Sequence, residues 1–253
     1  MNKIANLAVQ MYSLRELTDP LGDILQGVAE AGYSGIETVG TQGVSAEELK
    51  GLLEQHGLVV ASSHVSLAAL EDDPEGVVAF NKAVGNDTII VPWVERVANP
   101  DSASEWQALG ARIGKLSAAT DAAGMQLLYH NHDFEMTEVD GKLILEHLLE
   151  GADGKLGLEL DIAWVVRGAR NPLALLEKFS GHIQRVHVKD LAPAGENADE
   201  DGWAAVGSGT LDWDALLPAA RAAGAQWYVV EHDKPADPLA NVTTSAAFLR
   251  GKL

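Results

Sequence analysis

Histidine and carboxylate side chains recur in this sequence directly after short apolar runs that are rich in β-branched residues. Imidazole nitrogens and carboxylate oxygens together suit hard or borderline divalent cations, and imidazole also transfers protons near neutral pH. The chain contains no cysteine, which excludes thiolate metal sites, disulfides and cysteine nucleophiles. Five of the eight histidines occupy these positions: His64, His130, His132, His187 and His232.

The apolar runs are too short for typical helices and are bounded by Gly, Asn or Asp, so they predict strands that alternate with longer amphipathic helices. The predicted strands are 4–11, 35–39, 59–64, 88–93, 125–130, 156–161, 183–189 and 227–231. The predicted helices lie near 20–31, 45–56, 74–84, 101–123, 141–150, 171–180, 212–223 and 236–250. Eight βα units in 253 residues predict an α/β fold, a single (β/α)8 TIM barrel over residues 1–253.

Several predicted helices carry boundary signals. Ser45 followed by Glu48 is typical of a capping box, and the Asn-Pro pair at 171–172 and the Asp-Pro pair at 19–20 are typical of an N-cap before a first-turn proline. Four glycines stand where a left-handed residue would end a helix before the next strand. They are Gly32, Gly57, Gly124 and Gly224.

The carboxyl ends of the strands share one face of such a barrel, and active sites occur at that face. A single histidine or carboxylate there is more often a hydrogen-bonded structural group, but many of them at one face favour a functional site. The polar groups at strand ends include Gln10, Glu37, His64, Glu95, His130, His132, Glu159, Asp161, His187, Lys189, Asp190, Glu231, His232 and Asp233. His56, His147 and His182 fall within or beside helices and are expected to be structural.

Composition excludes several classes of protein. The formal net charge of -19 and the pI near 4.6 repel phosphate backbones and anionic lipids, so we expect neither nucleic-acid nor membrane binding. No apolar run approaches the length of a membrane span, and the first residues lack the apolar core of a signal peptide, which predicts a cytoplasmic protein. Neither G-x-G-x-x-G after the first strand nor a P-loop motif is present.

Seven segments, in this order, carry a resemblance to a known family. They are Gly-Ile-Glu at 35–37, Ser-His at 63–64, and the segments 129–135, 160–164, 186–190, 206–213 and 230–233. Over essentially the whole chain the sequence resembles the sugar phosphate isomerase/epimerase family of the xylose isomerase-like TIM-barrel superfamily. That superfamily includes tagatose and psicose epimerases, hydroxypyruvate isomerase, inosose dehydratase and endonuclease IV.

The resemblance implies one divalent metal ion, Mn²⁺, Mg²⁺, Zn²⁺ or Co²⁺, at the ends of strands five to eight. The matching positions are His130, Asp161, His187 and Glu231. The epimerases have Glu where this chain has His130, which changes either the charge around the metal or the identity of a base. Glu135 would supply the missing carboxylate only if its loop folds back towards the strand ends.

The resemblance further implies a sugar isomerase or epimerase that abstracts a proton next to a carbonyl, through a metal-stabilised enediolate of a sugar, keto-sugar or cyclitol. The implied catalytic residues are Glu231, His130 and Lys189. The implied substrate-binding residues are Glu37, His64, Trp93 and His132. Lys189 has an alternative role in a salt bridge with Asp161 or Glu159. Trp164 and Trp213 are expected to pack, and His232 to orient Glu231 or to point outward.

Other functions remain open at this point. A metal-dependent lyase, either inosose dehydratase-like or cleaving 3-keto-glycosides, needs the same proton abstraction as its first step. It differs from an isomerase in that a group then leaves the substrate. A sugar-binding barrel without catalysis would follow if the changed strand-five residue abolishes metal binding. An endonuclease is disfavoured by the acidic charge, and the scarcity of cations at strand ends favours a neutral carbohydrate over a phosphorylated one. A homo-oligomer is possible.

Overall fold

Eight parallel strands form the centre of the protein in a computed structural model that describes residues 3–253. Each strand pairs with the next one along the chain, and the last pairs with the first, so the sheet closes into a barrel. The strands are β1 (Leu7–Gln10), β2 (Gly35–Val39), β3 (Val59–His64), β4 (Thr88–Val91), β5 (Gln126–His130), β6 (Gly157–Asp161), β7 (Ile183–Val188) and β8 (Trp227–Val230). The predicted (β/α)8 barrel is confirmed.

A helix follows every strand and packs on the outside of the barrel. These helices are α1 (Leu21–Ala31), α2 (Ala46–His56), α3 (Pro74–Ala83), α4 (Ala103–Ala122), α5 (Ile144–Gly151), α6 (Pro172–Lys178), α7 (Trp213–Ala223) and α8 (Pro238–Leu249). Short helical segments that the sequence did not predict occur at Met11–Leu14, Leu67–Asp72, Phe134–Met136, Ile162–Arg167 and Ala198–Glu200. Two small hairpins pair Glu138–Val139 with Lys142–Leu143 and Asp190–Leu191 with Trp203–Ala204. Between residues 3 and 253 no helix is long and apolar enough to span a membrane.

Most of the predicted helix boundaries are confirmed. The Ser45 side chain accepts a hydrogen bond from the backbone N–H of Glu48, which is half of the predicted capping box, and Asn171 caps α6. The Asp-Pro prediction at 19–20 is wrong, because α1 begins at Leu21 and Pro20, which has no capping side chain, occupies the N-cap position. All four predicted glycines have positive φ angles, between 63° and 115°.

The barrel interior contains a small apolar cluster and several buried polar side chains. Ala8, Ala61 and Val229 form a small cluster that is separate from the main hydrophobic core. Arg185 lies on β7 and donates hydrogen bonds to the carbonyl of Ala61 and the hydroxyl of Thr88. Since strand residues two apart point the same way, the residues after Arg185 on this face of β7 carry polar side chains towards the carboxyl end.

Helices α4 and α5 approach each other closely because two glycines lie at their contact. A Cβ atom at Gly110 would overlap the backbone carbonyl oxygen of Leu148, and one at Gly151 would overlap the carbonyl oxygen of Gln107. The two helices flank β5 in the sequence and share more contacts than any other pair of elements. Glycine at these positions therefore sets the distance between the helices on this side of the barrel.

The substitution Gly110→Ala is expected to destabilise the fold by about 1–3 kcal/mol, because the added methyl group forces α4 and α5 apart. The matched control is Gly51→Ala in α2, where a Cβ meets nothing within 4 Å and helix propensity should stabilise by roughly 0.5–1 kcal/mol. Urea unfolding of both variants measures the difference. Equal stabilisation by the two substitutions would show that the helices do not touch at Gly110.

Candidate metal centre and active-site cavity

Four buried side chains meet at the carboxyl end of the barrel, and we call them the outer cluster: His130, Asp161, His187 and Glu231. They come from β5, β6, β7 and the residue after β8, and one donor atom of each lies within 4.8 Å of the others. His187 Nδ1 is 3.0 Å from Glu231 Oε2, 3.2 Å from His130 Nε2 and 3.7 Å from Asp161 Oδ2. The structure thus brings together all four residues that the resemblance matched to metal ligands.

The chemistry of the outer cluster fits a divalent cation. Asp161 Oδ1 accepts a hydrogen bond from the backbone N–H of Trp164, whereas Asp161 Oδ2 is buried without a hydrogen-bond partner among residues 3–253. That free oxygen is 3.5 Å from His130 Nε2. Buried polar atoms without a partner are rare, and two imidazole nitrogens with two carboxylate oxygens are a typical ligand set for a borderline metal.

A second group of polar side chains lies next to the outer cluster, and we call it the inner cluster: Glu37, His64, Glu159 and the Nε2 atom of His187. His187 Nε2 is 2.8 Å from Glu37 Oε1 and 3.0 Å from Glu159 Oε2. His64 Nε2 contacts the same two oxygens, at 3.0 Å and 2.8 Å respectively. The imidazole ring of His187 therefore belongs to both clusters.

Residues of β1 and β3 hold Glu37 in place. The Gln10 amide donates to Glu37 Oε1 at 2.6 Å, and the Ser62 hydroxyl donates to Glu37 Oε2 at 2.5 Å. Glu37 is completely buried and does not line the cavity described below, so its predicted contact with substrate stays a prediction. Both oxygens of its carboxylate accept hydrogen bonds from side chains within the barrel.

Lys189 is buried behind the outer cluster. Its Nζ is 3.1 Å from Glu231 Oε2, 2.5 Å from Asp233 Oδ1 and 3.8 Å from Asp161 Oδ2. Burial alone would lower the pKa of Lys189, but these three carboxylates raise it, so the ammonium stays charged. Of the two predicted salt-bridge partners, Asp161 is found and Glu159 is not.

The pKa of Asp161 illustrates how the surrounding charges outweigh burial. Burial would raise this pKa, yet the Lys189 charge and the nearby imidazoles of His130 and His187 lower it below its ordinary value. Asp161 is therefore an anion at neutral pH, the form in which a carboxylate binds a metal.

A cavity of about 520 Å³ opens over the outer cluster. His130 and Glu231 lie in its wall, together with three of the predicted substrate-binding side chains, His64, Trp93 and His132. Trp93 is half exposed at the rim, where its ring is free to stack on a ligand. Bound carbohydrate would thus meet aromatic faces and imidazoles together.

His132 is a neutral imidazole in the cavity wall. Burial and the neighbouring charge of His130 lower its pKa to about 3. Its Nδ1 is buried without a hydrogen-bond partner, and its ring lies 5.1 Å from the Trp164 ring, centre to centre. Trp164 also lines the cavity, so the prediction that it only packs is wrong, whereas Trp213 is buried as predicted.

The long loop after β7 supplies part of the cavity wall. Trp203 and Asp201 from this loop line the cavity. Asp190 fastens the loop, because its carboxylate accepts hydrogen bonds from the backbone N–H groups of Gly207 and Leu211 and from the Trp213 indole. These contacts link residues up to 23 positions apart in the chain.

Two further predictions are corrected by the structure. Glu135 does not join the outer cluster: its carboxylate accepts hydrogen bonds from the Tyr129 hydroxyl at 2.6 Å and the His132 backbone N–H at 2.8 Å, and burial raises its pKa to about 7. His232 neither contacts Glu231 nor points outward, because its ring is buried and Nδ1 accepts a hydrogen bond from the Lys234 backbone.

Sequence reasoning did not select Glu159 or Trp203 as site residues. Glu159 precedes Asp161 by two positions on β6, and this alternation was a usable signal, because both side chains then point to the same side of the strand. Trp203 had no comparable signal, since only the folding back of the loop brings it to the cavity.

Comparison with solved structures supports the fold. A sugar phosphate isomerase/epimerase from Parabacteroides distasonis superposes with a TM-score of 0.81 at 23% sequence identity, over 98% of this chain and 94% of that one. The probable 3-DHS dehydratase AsbF from Bacillus anthracis superposes with a TM-score of 0.78 at 16% identity, over the full length of both chains. At these identities the similarity is one of fold.

Curated relatives are similar in sequence as well. The inosose dehydratase of Lacticaseibacillus casei is 25% identical over 240 residues, which cover 81% of this chain and 79% of that protein. The inosose dehydratase of Clostridium beijerinckii is 32% identical over 88 residues, which span only 29% of that protein's length.

A family model extends this similarity to nearly the whole chain. Residues 25–252 match the model of the xylose isomerase-like TIM barrel. The closed eight-stranded barrel and the polar carboxyl ends of its strands agree with that match. The chain therefore belongs to the xylose isomerase-like TIM barrel family, a family of sugar-processing enzymes.

Proposed function

We propose that this protein is a divalent-metal-dependent lyase that removes water from a neutral keto-sugar or keto-cyclitol after abstracting a proton next to its carbonyl. The observation that carries the proposal is the outer cluster, in which two imidazole nitrogens and two carboxylate oxygens converge beneath an aromatic-lined cavity. Isomerisation or epimerisation of the same substrates, through the same enolate, is the second candidate.

His130, Asp161, His187 and Glu231 would hold the cation. When bound, a divalent metal polarises the substrate carbonyl and stabilises the negative charge that develops on its oxygen. Two imidazoles in the ligand set favour Zn²⁺, Co²⁺ or Mn²⁺ over Mg²⁺, because Mg²⁺ prefers oxygen ligands and retains water.

Glu231 is the proposed base. Its Oε2 faces His187 and Lys189, whereas its Oε1 has no protein partner among residues 3–253, and the side chain lines the cavity. The charge of Lys189 outweighs burial and lowers the pKa of Glu231, so the carboxylate is ionised and can accept a proton. The proton comes from the carbon next to the carbonyl.

Asp233 and Lys189 are the proposed acid. Asp233 lines the cavity and contacts the Lys189 ammonium at 2.5 Å, so a proton can pass from Lys189 through this carboxylate to the hydroxyl that leaves. Lys189 itself does not line the cavity, and this relay is how it would take part in the reaction.

The number of available bases favours elimination over epimerisation. Epimerisation needs a second base on the opposite face of the substrate carbon. If His130 Nε2 binds the metal, its Nδ1 is the remaining ring nitrogen, and this atom lies 3.3 Å from the carbonyl oxygen of Pro92. His130 then has no free lone pair and acts as a ligand only, so Glu231 is the one base that the outer cluster supplies, as an elimination requires.

The relatives support the same class of reaction, since several of them are named inosose dehydratases. His132 supports the second candidate, because a neutral imidazole in the cavity wall could serve as the second base of an isomerase or epimerase. We rank this candidate second because several of the curated relatives are named inosose dehydratases.

Asp161→Ala is expected to abolish metal binding, because it removes the ligand whose Oδ2 has no other partner. Elemental mass spectrometry after loading with Zn²⁺ or Mn²⁺ should find one equivalent in the wild type and about none in the variant. Glu135→Gln, which changes a buried carboxylate outside the cluster, should retain one equivalent. If neither the wild type nor any variant holds metal after loading, the metal centre is contradicted and a non-catalytic sugar-binding barrel is favoured.

Glu231→Gln is expected to lower kcat by roughly 10²–10⁴-fold while the metal stays bound, because the amide oxygen can still be a ligand but the side chain cannot accept the proton. To measure this, the wild type and the variant are each incubated with keto-inositols and 3-keto-glucosides in D₂O, and the products are followed by mass spectrometry. Loss of one water supports the lyase, whereas deuterium uptake without water loss identifies an isomerase or epimerase. Glu95→Gln, an exposed carboxylate outside the cavity wall, is the control and should leave kcat unchanged.

A further inference from the structure

We propose that Glu37 and Glu159 are positioning residues for the metal: they hold the His187 ring with its proton on Nε2, so that Nδ1 is presented to the cation as an unprotonated ligand. This inference rests on the metal centre of the proposed function. It assigns a role to the inner cluster, which the proposed reaction does not use.

The two ring nitrogens of His187 face different groups. Nε2 is 2.8 Å from Glu37 Oε1 and 3.0 Å from Glu159 Oε2, whereas Nδ1 is 3.0 Å from Glu231 Oε2 and 3.2 Å from His130 Nε2. A neutral imidazole carries one N–H, and only the other nitrogen has a lone pair for a metal.

The inner carboxylates decide between the two tautomers. With the proton on Nδ1, the lone pair of Nε2 would point at two buried carboxylate oxygens within 3.0 Å, and both would lose a donor. With the proton on Nε2, Glu37 and Glu159 share a hydrogen-bond donor and Nδ1 faces the outer cluster. The geometry selects the second arrangement.

The two carboxylates are themselves fixed, which is what allows them to fix the ring. Gln10 and Ser62 donate to Glu37, and His64 Nε2 lies 2.8 Å from Glu159 Oε2. Together with His187 these residues occupy β1, β2, β3, β6 and β7 of a closed barrel. Rotation of the His187 ring would break contacts to several strands at once.

The same contacts strengthen Nδ1 as a ligand. A carboxylate that accepts the distal N–H of a metal-binding histidine increases the basicity of the ligating nitrogen, and loss of such a partner typically weakens metal binding 10–100-fold. Here two carboxylates, Glu37 and Glu159, act on one N–H. They add negative potential next to a ligand set that contains only two carboxylates of its own, Asp161 and Glu231.

The test compares the Zn²⁺ affinity of three variants by competition with a chromophoric chelator. Glu37→Gln and Glu159→Gln should each weaken binding about 10–100-fold. Glu135→Gln, an equally buried glutamate that does not touch His187, is the matched control and should bind like the wild type. Wild-type affinity in both inner-cluster variants would overturn the proposal.

A second carboxylate ligand should compensate for a lost inner one. His130→Glu adds charge directly to the outer cluster, so Glu159→Gln should cost less affinity in the His130→Glu background than in the wild type. Strictly additive effects in this double-mutant cycle would contradict the electrostatic part of the proposal. A purely structural role for Glu159 would produce that additive result.

Nitrogen NMR of the ¹⁵N-histidine-labelled, Zn²⁺-loaded protein provides a readout that a loss of stability would not mimic. His187 should show its proton on Nε2 and a metal-shifted Nδ1. Metal coordination by Nε2, or a second equivalent of Zn²⁺ that disappears in Glu159→Gln, would show that the inner carboxylates are ligands and overturn the proposal. If the wild type binds no Zn²⁺, the metal centre itself is wrong and the positioning role falls with it.

Discussion

The central physical constraint in this protein is the burial of four carboxylates inside a closed barrel: Glu37, Glu159, Asp161 and Glu231. A buried anion without partners is far too costly to persist, so each must be matched by a cation or by hydrogen-bond donors. Imidazoles of β3, β5 and β7 and the ammonium of Lys189 meet this need in part. The unpartnered oxygen of Asp161 marks the place where the protein's own groups are insufficient.

This matching of charges explains the arrangement around the barrel mouth. Lys189 must stay buried between Glu231 and Asp233, so aromatic faces enclose it: its Nζ is 4.2 Å from the centre of the Trp203 ring and 5.2 Å from that of Trp164. Trp203 reaches this place only because Asp190 fastens its loop to the barrel. The residues that form the cavity wall therefore also help to balance the charges of the site.

The chemistry follows from how the donors are divided between the two clusters. On the cavity side, His130, Asp161 and Glu231 face His187 Nδ1. Hydrogen-bond donors to the inner carboxylates collect on the other side of the same ring. In the proposed mechanism this arrangement would orient one ligand ring, supply one carboxylate oxygen as a base and position a buried ammonium to return a proton.

The sequence by itself determined the eight βα units and most helix caps, because these depend on local periodicity and on boundary residues. The four residues of the outer cluster came from the positions that the family resemblance matched. The tertiary structure alone decided which strand-end groups face the cavity. The carboxylates of Glu37 and Glu135 accept hydrogen bonds from other side chains, whereas the Trp164 and Trp203 side chains line the cavity. Those outcomes depend on contacts between distant segments and on the balance of buried charge, which local sequence patterns do not encode.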